Sequence, residues 1–340
     1  MSAIFFRSAW KYRARSYRYH LLDAGHLLEN LVLALSALGE ASRVSLDFDD
    51  EAVNRLLGLD EKKEVCLVQC GTAGAQPDDL NAGGPFGELD DAVKNASRVS
   101  PTETDYPEIR DIHEAGIRVR KPAKATHKMI AELGPGPSEW VRIDAPETWP
   151  EASTYKEAVF TRRSRRNYVK SPISKEALSA LLEGLCASAD SPFNQTLCIG
   201  FVIGRAQGYD PGFYLLDTGS HSYARVTSGA VVTDMARICL DQMWLANAAV
   251  HFVFMSHLRM VEDIWGARGY RYAMTCAGRW GERLYLMATA MDLGCCGIGA
   301  FYDQEAARRL GLNPDARLLY LVAVGPVKGD ASVRIANPSV

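Results

Sequence analysis

The chain has 340 residues, 47% hydrophobic and 23% charged, with 38 basic against 41 acidic side chains and a formal net charge of −3. That content supports more than one hydrophobic core and excludes a disordered chain, a collagen-like fibre and a disulfide-stapled miniprotein. The near balance of charge gives no global field that selects nucleic acid or anionic lipid.

The N-terminal stretch MSAIFFRSAWKYRARSYRYH alternates apolar and basic residues and lacks the unbroken apolar run of a signal peptide. No apolar run, that around Ala248–Met255 included, approaches the ~20 residues a membrane span needs. None of the eight cysteines forms a CxxC pair, and most lie in apolar segments. They read as reduced, buried small side chains, and the chain as a soluble cytoplasmic protein.

Taken in order, an apolar helix over Leu21–Leu38 is followed by a loop and a short helix. Asp50 opens that helix as N-cap, and the glycine of Leu57-Gly58-Leu59 closes it. A strand over Glu64–Cys70 ends this portion. Residues 72–154 then hold nine of the fifteen prolines, which predicts a long connector with short elements at most. A short helix at 155–160 leads into the basic turn Thr161–Tyr168. After it come a helix over Lys175–Ala187, a strand over Cys198–Gly204, a helix over Val231–Asn247 and a strand over Val250–Met255. A buried helix over Glu282–Leu293, a glycine-rich loop from Gly294 to Phe301, a short helix opened by Asp303 and a strand over Leu318–Val324 complete the order.

The last portion repeats the first at a constant spacing of 253 residues. Arg18-Tyr19 meets Arg271-Tyr272, Ala24-Gly25 meets Ala277-Gly278, and Glu29 meets Glu282. Phe48 meets Phe301, Asp50 meets Asp303, and Leu57-Gly58-Leu59 meets Leu310-Gly311-Leu312. One register held through two helices and the loop between them indicates a duplication. The second copy has a long upstream portion, from about 155 to 270, that the first lacks. The chain is one complete domain (151–330) preceded by a truncated copy (1–75) and a proline-rich connector (76–150).

Two stretches carry candidate chemistry. Arg162, Arg163, Ser164 and Arg166 combine guanidinium forks with a hydroxyl, which suits a phosphate monoester. On composition alone a solvated basic stretch reads at least as well. Gly297, Ile298, Gly299 and Ala300 form a small-residue loop whose peptide groups a flat ring can approach closely. An ordinary tight connection is an equal reading of that loop by itself, although its counterpart at 41–47 has lost the glycines. Vicinal Cys295 and Cys296 read as two packed thiols, and no histidine shows metal-ligand spacing.

The order of these motifs resembles nitroreductase-fold flavoenzymes. Ser191-Pro192-Phe193-Asn194-Gln195, Gly-Ile-Gly-Ala-Phe-x-Asp, Pro211-Gly212-Phe213-Tyr214 and Tyr270-Arg271-Tyr272 are similar to the SagB-type (McbC-like) branch, which includes azoline oxidases. The resemblance implies an α+β fold, a complete domain and a truncated second copy forming a pseudo-dimer, and non-covalent FMN. Carried over, Arg162, Arg163, Ser164 and Arg166 bind the phosphate and ribityl end or the pyrimidine edge. Gly297, Ile298, Gly299 and Ala300 lie against the isoalloxazine, with Ser191 and Asn194 approaching across the interface. The chain departs from the branch there, reading Asp190-Ser191-Pro192-Phe193 in place of Pro-Ser-Gly-Gly. A Lys-Tyr pair, present as Lys11-Tyr12 in the first copy and replaced by Ile264-Trp265 in the second, is implied to be catalytic. The implied activity is a two-electron dehydrogenation of a peptide-derived or natural-product intermediate. An NAD(P)H-dependent flavin or nitro reductase and a flavin-free scaffold subunit are the competing readings. The expected partners are a peptide or small-molecule substrate and a second copy or a biosynthetic protein, with no nucleic acid and no membrane.

Overall fold

A computed structural model describes residues 1–72, 90–96, 99–117, 128–137, 139–150, 152–186 and 192–329. The first portion runs β1 (Ser2–Ile4), α1 (Phe6–Tyr12), α2 (Ser16–Ala37), β2 (Ser42–Ser45), α3 (Asp50–Leu57), β3 (Glu64–Cys66) and β4 (Gln69–Thr72). The connector contributes α4 (Asp91–Ala96), α5 (Pro107–Ala115), α6 (Met129–Glu132) and β5 (Val141–Arg142). The remainder runs α7 (Tyr155–Thr161), α8 (Lys175–Cys186), β6 (Cys198–Ile203), β7 (Gly212–Asp217), β8 (Ser222–Ser228), α9 (Val231–Ile238), β9 (Val250–His257), α10 (Leu258–Trp265), α11 (Gly269–Ala290), β10 (Gly294–Ile298), α12 (Asp303–Arg309) and β11 (Ala316–Gly325).

Seven strands form one antiparallel sheet in the order β10-β11-β9-β6-β7-β8-β5. Every residue of β6 and all but the last of β9 are buried, so these central strands are covered on both faces and read as unbroken apolar runs. In the truncated copy β2 pairs β4 and β1 pairs β3, two small ribbons in place of a full sheet. The architecture is α+β, one complete domain with a truncated second copy against it.

The helix pair α2 and α11 joins the copies, and each spans 22 residues at the 253 spacing. Their crossing is built on two equivalent glycines. A Cβ on Gly25 would strike the Thr275 carbonyl oxygen, and one on Gly278 would strike that of Leu22, the residue equivalent to Thr275. Backbone therefore meets backbone on a local two-fold axis. The ion pairs follow the same axis. Arg268 and Arg271 hold Asp50, while Arg15 and Arg18 hold Asp303. Arg279 and Arg283 hold Glu29, while His26 and Asn30 hold Glu282.

Several sequence expectations are corrected. Asp49, not Asp50, caps α3, through Ala52 N–H; Asp50 is turned inward to the two arginines. Asp303 likewise serves arginines, and α12 has no side-chain cap. Helix α11 begins thirteen residues before the expected Glu282, because its glycines face the partner helix. The expected helix 231–247 breaks after α9, where Leu240 and Asp241 adopt positive φ, and resumes as a 3₁₀ turn at Met243–Asn247. The strand expected at 64–70 is split into β3 and β4, and the first part of the glycine loop is a strand, β10, paired with β11. In the connector, β5 joins the main sheet, and α5 buries Ile109 and His113 against the truncated copy. All eight cysteines are free thiols.

Buried histidines make the fold acid-labile. Burial, with the charges of Arg271 and Arg268, pushes His113 down to about 3, and burial pushes His251 down to about 4. Both stay neutral in the fold at a pH where an unfolded histidine takes a proton. The unfolded chain then binds more protons, and stability falls as pH drops below about 6.5. A loss on the order of 3 kcal/mol is expected between about pH 7 and about pH 5. Urea midpoints that stay flat over that interval would contradict it.

Candidate functional site

The basic turn and the glycine stretch lie side by side. Ser164 forms a parallel bridge with Cys295, and Arg165 N–H donates to the Cys295 carbonyl at 2.8 Å, so the turn extends the edge of the sheet beyond β10. Thr154 and Glu157 form a capping box at the start of α7, which sets the helix that delivers Arg162. Arg162 lies over the Tyr285 ring at 5.2 Å and 3.4 Å from Glu282. Arg166 lies 6.0 Å over Trp244. Ser164 Oγ is 2.8 Å from Tyr285 Oη, which accepts the Gly297 N–H at 2.6 Å.

The glycines serve a different contact from the one expected. A Cβ on Gly297 would strike the Tyr320 hydroxyl, and one on Gly299 would strike the Tyr19 ring. Their small size therefore admits the chain's own tyrosines on those faces. Gly297, Gly299 and Ala300 remain half-buried.

The N-terminal arm docks on this loop. Arg15 donates to the Gly299 carbonyl at 3.0 and 3.3 Å and to the Phe301 carbonyl at 3.3 Å, while pairing with Asp303 at 2.8 Å. Tyr19 packs on Gly299 and meets Tyr12 edge-on, with ring centroids 4.8 Å apart. Lys11 Nζ lies 5.2 Å over the Tyr12 ring. The Lys11-Tyr12 pair of the truncated copy is thus held next to the glycine stretch of the complete copy. Both residues are exposed, so the apolar setting that would favour Lys11 as a base is absent on this face of the chain.

Asn194 falls elsewhere. Phe193 beside it packs on Tyr272 at 4.8 Å, and the Tyr272 hydroxyl donates to Asp47, in the glycine-free counterpart of the loop. There the fully buried Arg268 fills the space with hydrogen bonds to Leu46 and Phe48 carbonyls. Ser191 lies outside the described residues. Arg15, Tyr19, Tyr285 and Tyr320 were missed in the sequence. Arg15 and Tyr19 had a usable signal, their 253-residue spacing from Arg268 and Tyr272.

The basic turn fits a phosphorylated flavin. Burial and the neighbouring Arg163 charge hold the Arg165 guanidinium below its usual range, a crowding of like charges that a dianion relieves. The half-buried Gly297, Gly299 and Ala300 lie beside that turn. Among the described residues no cluster of histidine, cysteine and carboxylate could hold a metal, and no helix is long and apolar enough to cross a membrane.

Comparison with known proteins bears on the fold. The model of the nitroreductase family matches residues 2–72 and 159–326. A protein of Methanocaldococcus jannaschii with a provisional nitroreductase name is 29% identical over 173 residues, 48% of this chain and 87% of that protein. A solved structure from Anabaena variabilis, also provisionally a nitroreductase, superposes with a TM-score of 0.77 at 25% identity. That match covers 96% of this chain and 68% of the other.

Proposed function

The chain belongs to the nitroreductase family of flavin-dependent oxidoreductases, and from that membership we propose that it is an FMN-dependent dehydrogenase of the SagB type. Its substrate is a peptide-derived or natural-product azoline, and dioxygen takes the electrons. The observation that carries the reading is the docking of the Lys11-Tyr12 arm, through Arg15 and Tyr19, on the stretch that also abuts the arginine turn.

In this reading Arg162, Arg163, Ser164 and Arg166 hold the phosphate and ribityl end, and the peptides of Gly297, Ile298, Gly299 and Ala300 flank the ring. Bound there, the flavin supplies the acceptor for a hydride. The protein supplies orientation and charge around it. Lys11 and Tyr12 meet the substrate, which covers Lys11 and gives it the desolvated setting a base needs. Ser191 and Asn194 approach the flavin across the interface. The truncated copy 1–75, connector 76–150 and complete domain 151–330 act as one catalytic unit in the cytoplasm. The unit pairs with a second copy or with a biosynthetic protein, since the Asn30–Ala37 end of α2 carries no charge and is only partly covered.

The test is direct. Purified protein is expected to be yellow, to release FMN on denaturation, and to consume oxygen with an azoline peptide. Lys11→Ala is expected to cut turnover by about 10²-fold or more while the flavin stays bound. Rapid turnover with NADPH and a quinone instead would make the chain a flavin reductase. A colourless protein that takes up no FMN would make it a scaffold.

A further inference from the structure

The local two-fold axis supplies an internal control for a residue that the proposed chemistry has not yet used. At one end of the α2–α11 pair, Glu29 is held by two guanidiniums, Arg279 at 2.7 Å and Arg283 at 2.5 Å. At the other end, beside the glycine stretch, the equivalent Glu282 is held by His26 Nδ1 at 2.6 Å and by Asn30 Nδ2 at 2.6 Å. The two guanidiniums of the facing helix are replaced by an imidazole and an amide, and only at the end that carries the candidate site.

The hydrogen bonds around His26 have a fixed sense. The Glu282 carboxylate can only accept, so Nδ1–H donates to it. A neutral ring then leaves Nε2 to accept the Tyr320 hydroxyl at 3.1 Å. Tyr320 lies against Gly297, and Tyr285, whose ring centroid is 5.6 Å from that of His26, accepts the Gly297 N–H. Two tyrosines therefore connect the imidazole to one peptide of the loop. At the Tyr285 position the truncated copy has Val32. The other charged or titratable groups facing His26 are Asp23 on its own helix and Arg162, which reaches Glu282 from the end of α7.

We propose that His26 is the proton-linked group of the site. Resting on the redox reading above, His26 would take up a solvent proton at Nε2 when the flavin gains its electron pair, and the Tyr320 hydroxyl, which donates to the neutral ring, would turn to accept from it. Glu282 compensates the imidazolium. When that electron pair passes on to dioxygen, the proton would leave His26 with it, so the only bond made and broken on the protein is the Nε2–H bond. His26 is a positioning and proton-storing residue, and Glu282 sets its tautomer.

The midpoint potential of the bound flavin, measured in the holoprotein across pH, reads this directly. One extra proton per electron pair adds about 30 mV per pH unit to the slope. The wild type is expected to show a segment of that added slope, and His26→Gln to lack it. Identical potential-against-pH lines in the two proteins would overturn the proposal, even if the variant lost activity. An imidazole ¹⁵N spectrum gives a second, flavin-independent reading, in which a His26 protonated on Nε2 and bare on Nδ1 would also overturn it. A colourless protein would fail the redox reading itself, a result distinct from either of these.

Discussion

Asp50→Ala is expected to cost about 3–5 kcal/mol or to prevent folding, whereas Asp303→Ala, its equivalent 253 residues on, is expected to cost about 1 kcal/mol. Each carboxylate accepts from two arginines at matching positions, so the contrast isolates burial. Arg268 and Arg271 are 0% and 2% exposed and Asp50 is 1% exposed. Removing the carboxylate strands two guanidiniums in the interior with Asp47, 3.9 Å from Arg268, as the remaining nearby acid. Arg15 and Arg18 keep 29% and 23% of their side chains in water, so they can rehydrate when Asp303 is lost. For Asp303 itself, burial pushes the carboxyl up, and its two arginines more than reverse that. A total stability of about 5–15 kcal/mol leaves little margin for the first change. Equal shifts of the urea midpoint in the two variants would contradict the account of the axis.

Gly278→Ala is expected to destabilise by about 3 kcal/mol or more, the upper range for overpacking, because its Cβ meets carbonyl and Cα atoms of Leu22. Backbone cannot swing aside as a side chain does, so α2 and α11 must separate. That separation loosens every contact along the pair, including the Glu29 and Glu282 clusters. Gly136→Ala, with no atom within 4 Å of the new methyl and no positive φ, is the matched control and should leave stability unchanged. A Gly278→Ala protein as stable as the control would mean that the helices are not held at backbone contact.

What was readable in the sequence is what the axis constrains. Arg18, Gly25, Glu29, Phe48 and Asp50 recur at one spacing because each contacts the equivalent of another's partner, so a slip would break pairs on both sides. The nearness of Arg162–Arg166 to Gly297–Ala300 was suggested by chemistry and is realised as a strand-edge bridge. The remainder depended on distant partners. Asp50 ahead of a helix has the form of an N-cap, and nothing local reveals Arg268 and Arg271 more than two hundred residues away. Tyr19 and Tyr320 were invisible as site residues because a glycine shows that room is needed, without showing which ring will occupy it. Helix α11 was read short because Gly278 and Gly281 weaken an isolated helix, a cost that packing against α2 offsets here.

In the proposed site the arginine turn grips a phosphate while the adjoining stretch accepts a ring. Equilibrium titration of flavin-free protein with FMN and with riboflavin, which share the ring and differ in the phosphate, separates the two halves of that claim. Charge-assisted bonds of about 1.5–3 kcal/mol each from two or more guanidiniums predict FMN binding at least about 10²-fold tighter than riboflavin, with Arg162→Ala and Arg166→Ala each narrowing the gap. Equal affinity for the two ligands, or no binding of either, would contradict it.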